Sequence, residues 1–208
     1  MRPFTSLIGR WLRPERRVRS AAGLADLCAG EAAFVSQKST IEYCRMRAGI
    51  NWDKLFQEAA FTTAMEHCRW EAYAALVADV METCQILFRH QGAGEIAVPA
   101  ALGVVARAAF ERHPVPAGRE SWEDEVAAIE ARLARALLAA PRLVHVVGYD
   151  SAKRVFRALP IHTNLKGVDR EVVANNIRFN LCQVYARMEH DIDTAALLAE
   201  WRAPPGEP

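Results

Sequence analysis

One stretch of this chain places hydrogen-bonding side chains where they can converge. Asn176, Asn180, Gln183 and Arg187 recur at spacings of four, three and four, the interval at which helical side chains point the same way. Amides that both donate and accept, beside a guanidinium, suit the lining of a small-molecule or anion pocket. His162, Asn164 and Lys166, just upstream, are the expected partners of such a pocket. The simpler reading is a solvated boundary face beside the apolar seam Val173, Ile177, Leu181, Val184 and Met188.

Other constellations carry less. His190-Asp191-Ile192-Asp193 has the residue types of a hard-cation site, but only 15 residues follow it to supply further ligands. An N-cap role for Asp193 is the plainer expectation. Cys68 and Cys84 would stand about 24 Å apart along one helix, too far to share an ion. No Glu has a His three residues later, so the repeat that builds helical di-iron sites is missing. Tyr149 and Lys153 have the Tyr-x3-Lys spacing of short-chain dehydrogenases, without the glycine-rich dinucleotide loop that gives it meaning. Spacing therefore supports no metal and no cofactor and identifies no catalytic residue. Six His and five Cys supply axial ligands for haem in type alone. The odd number of cysteines and the lack of a CxxC pair predict reduced thiols in a cytoplasmic protein.

The sharpest asymmetry lies at the N-terminus. Residues 1–20 hold six arginines (Arg2, Arg10, Arg13, Arg16, Arg17 and Arg19) against Glu15, so they carry +5 and leave −4 on the rest of a +1 chain. Phe4, Leu7, Ile8, Trp11 and Leu12 recur through them at helical spacing. Phe4, Leu7, Ile8, Arg10, Trp11, Leu12, Arg13, Arg16 and Arg17 thus form a candidate surface for an anionic membrane or an acidic protein groove. The arginines interrupt any signal-peptide core. The preference for Arg over Lys across the chain is what a GC-rich bacterial genome gives, so the clustering of charge is informative and the choice of Arg is not. Nucleic acid is not the expected partner, because the body is net negative and lacks a basic recognition helix.

The elements that position these residues read as helices. Ala, Leu, Glu, Arg and Met dominate, and apolar residues recur every three to four positions. The fold class is all-α: a single bundle of about six to eight helices around a long central one at about 62–91. That helix is apolar on two stripes, with Glu71, Asp79 and Glu82 on its remaining face. Further helices are expected at about 21–37, 40–48, 99–112, 121–141, 169–189, with Asp169 as its N-cap, and 193–201. Leu143–Val147 is the one plausible strand, with a helix over 150–159 as its alternative continuation and a loop over 160–167. Cys28, Glu31, Ala32, Glu42 and Cys44 are echoed 40 residues on by Cys68, Glu71, Ala72, Glu82 and Cys84, an echo read as coincidence. The organisation is then a basic segment (1–20), a helical domain (21–202) and a disordered tail (203–208).

The expectation from these residues is a non-catalytic cytoplasmic adaptor or assembly factor, peripheral at the inner membrane face or in a larger complex through its N-terminus. The alternative is a helical enzyme or small-molecule binder, haem included, with its pocket along the last major helix. The sequence names neither the partner nor the oligomeric state.

Overall fold

The computed structural model describes residues 17–93, 97–167 and 169–202, and these form an all-α bundle. Helix α1 spans Ala21–Gln37; Ser20 caps it by accepting from the Gly23 amide at 3.2 Å, and Glu200 accepts from the Ala21 amide at 3.1 Å. The chain does not break where α1 was expected to end. It passes through a π-helical turn, Lys38–Glu42, into α2, Tyr43–Ala48. Ser39 and Thr40 donate their hydroxyls to the Val35 and Ser36 carbonyls at 2.8 and 2.7 Å. This back-bonding lets two residues of low helix propensity stay inside the helix. Gly49 then terminates α2 with φ +56°, a conformation that suits a residue without Cβ.

After a one-turn helix α3, Trp52–Leu55, the central helix α4 runs over Ala59–His90. Between residues 72 and 88 every position but Ala78 is buried. Helices α1, α5 (Ala97–Phe110), α6 (Glu123–Ala136), α8 (Tyr149–Ala158) and α10 (Arg170–Asp191) all pack on it. Aromatic rings fill the seam with α5: Tyr73 donates to the Ala109 carbonyl at 3.0 Å, and Phe110 stacks on Trp122 at 4.7 Å.

The echo in the sequence has a structural counterpart. Cys28, Cys44, Cys68 and Cys84 are all fully buried in one core. Buried positions 25, 28, 32, 35, 36, 39, 40, 43 and 44 recur as buried positions 65, 68, 72, 75, 76, 79, 80, 83 and 84. All five cysteines are free thiols, and burial pushes those of Cys44 and Cys68 up to about 12.

Three expectations are corrected. Leu143–Val147 is not a strand: Val144–Val147 forms a short helix, α7, which packs on α10. No second extended segment is available among the described residues to pair with it. Residues 160–167 are not all loop, because Thr163–Lys166 forms one helical turn, α9, with the His162 Nδ1 accepting from the Asn164 amide at 3.3 Å. Asp169 precedes α10 but does not cap it with its side chain. Its carboxylate instead accepts from the Tyr43 hydroxyl at 2.9 Å and pairs with Arg47, tying α10 to α2. Asp193 does cap α11, Thr194–Arg202, accepting from the Ala196 amide at 3.1 Å.

Gly148, between α7 and α8, packs closely against α10. A Cβ there would stand 2.8 Å from Ile177 and 3.0 Å from Leu181, whereas one on Gly30 would meet nothing within 4 Å. Urea unfolding should therefore show Gly148→Ala destabilised by about 1–3 kcal/mol. Gly30→Ala should be stabilised by about 0.5–1 kcal/mol, through a stiffer helix.

Candidate functional site

The central helix carries two carboxylates into the core. Asp79 is 0% exposed and Glu82 1%. Arg132 on α6 reaches both: its Nη2 donates to Asp79 Oδ1 at 2.8 Å and its Nε to Glu82 Oε2 at 2.6 Å. Ser151 on α8 donates to the other Asp79 oxygen, and Arg142, before α7, lies 3.3 Å from Glu82 Oε1. Four chain segments thus meet at two acids one helical turn apart.

Water is scarce at this point, so the charges shape each other. Burial pushes the Asp79 carboxyl up to about 6, against the pull of Arg132 and Ser151. Desolvation works to lower Arg132, but Asp79 and Glu82 outweigh it and hold the guanidinium above its ordinary value. A second cluster lies along α4. Arg154 on α8 donates to Glu71 at 2.8 Å and to both oxygens of Glu125 on α6 at 2.6 and 3.0 Å. Arg119 joins it through Glu125 at 3.0 Å. Burial raises the Glu71 carboxyl, yet the Arg154 bond and charge prevail and leave it below its ordinary value.

Beside the Asp79–Glu82 cluster a cleft of about 400 Å³ opens between α4, α6 and the loop that follows α6. Arg89, Arg132, Arg135 and Arg142 line it, together with Glu82 and Asp150. Arg89 donates to the Ala136 and Ala139 carbonyls at 2.8 and 2.7 Å, closing the C-terminal end of α6. No spacing in the sequence selects these arginines. The available signal is that Glu71, Asp79, Glu82, Gln85 and Arg89 fall within the central helix, and those that are buried there call for a complementary face.

The residues singled out by spacing on α10 face several different partners. Arg187 pairs with Glu31 of α1 at 2.7 and 2.5 Å and lies over the Phe34 ring. Asn180, 8% exposed, donates to the Asn176 carbonyl and side-chain oxygen at 2.8 and 3.2 Å. Gln183 is exposed. Asn176 lines a cleft of about 260 Å³ with Lys38, Tyr43, Met46 and Val172. Upstream, His162 and Asn164 are exposed around their own capping bond, and Lys166 donates to the Arg157 carbonyl at 3.4 Å. Asn176 and Asn180 are brought together, whereas Arg187 is committed to α1 and Lys166 to the end of α8.

Of the N-terminal surface, Phe4, Leu7, Ile8, Arg10, Trp11, Leu12, Arg13 and Arg16 lie outside the described residues. Arg17 is exposed. The next residue, Val18, is fastened by a parallel bridge: its amide donates to the Asp191 carbonyl at 2.7 Å, and its carbonyl accepts from the Asp193 amide at 2.9 Å. Arg19 adds a 3.0 Å ion pair to Asp193. Among the described residues no helix is long and apolar enough to cross a membrane.

The raised Asp79 carboxyl gives a signed pH dependence. Its folded-state proton is held more tightly than the unfolded-state one, so its contribution to stability grows as pH falls through 6 towards 4. That contribution is lost as pH rises through 6. The stability of the wild type relative to Asp79→Asn should fall by on the order of 3 kcal/mol between pH 4 and 7.5. Urea unfolding across that range checks this, and a pH-independent difference would contradict it.

No family model, curated protein or solved structure matches this chain.

Proposed function

We propose that this chain is a non-catalytic helical adaptor, peripherally held at an anionic membrane surface by its basic amphipathic N-terminus. The observation that carries the reading is the concentration of +5 within residues 1–20, on an apolar stripe that includes Trp11. Indole and guanidinium groups together suit the headgroup region, where the ring is half-wet and each cation meets lipid phosphate. The Val18 bridge supports it, because it fixes the first described residues, which adjoin that segment in sequence, at the junction of α10 and α11. The body supports it too. Glu31, Glu71, Asp79, Glu82, Glu125 and Asp169 are each engaged by an arginine of another element. In this reading those ion pairs brace helices, and the densest run of positive charge in the chain sits at the N-terminus. Docking on a larger complex through the same segment is the competing outcome.

Co-sedimentation with vesicles distinguishes the two. Full-length protein should sediment with phosphatidylglycerol-containing vesicles, less at physiological than at low salt, and should not sediment with neutral ones. At about 1 kcal/mol per arginine near the surface, removing residues 1–16 should lower the partition coefficient about a hundredfold or more. Equal sedimentation of the two chains, or none with either, would overturn the membrane assignment.

A further inference from the structure

We infer that the arginine-lined cleft between α4, α6 and the loop before α7 is a binding site for a small phosphate-bearing anion. The argument starts from charge. Arg89, Arg132, Arg135 and Arg142 face Glu82 and Asp150 across the lining, which leaves two positive charges in excess. Asp79 behind the floor and Lys153, paired with Asp150 at 3.0 Å, offset one another. A phosphate monoester near neutral pH carries about two negative charges, which matches the excess.

Donor geometry points the same way. Arg132 is held by its two buried acids and forms a fixed cationic floor. Arg142 keeps a 39% exposed side chain while its Nη2 donates to the Val146 carbonyl at 3.0 Å, so the guanidinium is oriented yet open to the cleft. Arg135 is exposed and has no partner among the described residues. The carbonyls at the end of α6 would repel an anion, but Arg89 already covers two of them. The wall is built of Ala136, Ala139 and Ala140, side chains too short to fill the space between the arginines. A planar guanidinium fork recognises phosphate through paired, charge-assisted hydrogen bonds. The volume of about 400 Å³ lies within the range of small-ligand clefts, so the anion is an esterified phosphate with a small organic part. Free metabolites and lipid headgroups share that chemistry.

The test is calorimetric titration of the full chain with sn-glycerol 3-phosphate at constant ionic strength, with succinate as the dicarboxylate comparator. Saturable binding at one site per chain is expected, weakened about tenfold in Arg135→Gln and again in Arg142→Gln. Arg157→Gln, remote from the cleft, should bind as the wild type does. Circular dichroism of Arg135→Gln, whose side chain braces nothing, verifies the fold. Vesicles containing phosphatidate separate the two sources. Reduced sedimentation of Arg135→Gln assigns the site to a headgroup; unchanged sedimentation with weakened glycerol phosphate binding assigns it to a free ester. Absence of saturable binding, binding by both cleft variants as tight as that of the wild type, or preference for succinate would overturn the inference. Because residues 1–16 are intact in every variant, failure here leaves the N-terminal reading standing, and the reverse also holds.

Discussion

Two carboxylates buried on one turn of the central helix set the strongest constraint in this structure. An unpaired charge in a core carries a penalty of several kcal/mol, so Asp79 and Glu82 can stay there only if cations are delivered to them. Arg132 answers both acids and Arg142 answers Glu82, while Ser151 satisfies the remaining Asp79 oxygen. Apolar packing tolerates a helix sliding or rotating slightly against its neighbour. A guanidinium bonded to two acids does not, because a shift of one residue would strand all three charges. The pairing therefore fixes the registers of α6 and α8 on α4, and the arginine cleft forms where that fixed corner meets the end of α6.

The same device recurs with smaller stakes at other helix pairs. Arg154 ties α8 to both α4 and α6 through Glu71 and Glu125. Arg187 ties α10 to α1 through Glu31, and Asp169 ties α10 to α2 through Tyr43 and Arg47. These pairs are partly wet and individually worth little. Their value lies in specifying which helix lies beside which, in a chain whose apolar residues are mostly alanine, valine and leucine and offer little shape to discriminate neighbours.

Much of the architecture was legible because helix periodicity and end signals are local. Ser20 and Asp193 cap as their residue types suggest, Gly49 stops α2, and the central helix begins and ends within a few residues of expectation. Where the sequence misled, a distant partner had taken over. Asp169 reads as an N-cap, but Tyr43 and Arg47 claim its carboxylate. Leu143–Val147 reads as the one plausible strand, but with no strand among the described residues to join, Val144–Val147 closes into a helical turn. The sequence reads as two helices, 21–37 and 40–48, but the hydroxyls of Ser39 and Thr40 bond back to the preceding turn and the chain stays helical between them. The polar ridge on α10 was visible by spacing, whereas the choice of Glu31 for Arg187 was not. The arginine cleft was invisible for the same reason: its members come from three segments, and only the pairing of Arg132 with two acids of α4 brings them together.

The direct test of this account is the unfolding free energy, by urea at pH 7.5, of Arg132→Met alone and of the triple variant Asp79→Asn, Glu82→Gln, Arg132→Met. If the buried acids dictate the register, the single substitution should cost about 3–5 kcal/mol, and neutralising both acids should restore most of that loss. A single variant within about 1 kcal/mol of the wild type, or a triple variant no more stable than the single, would contradict it.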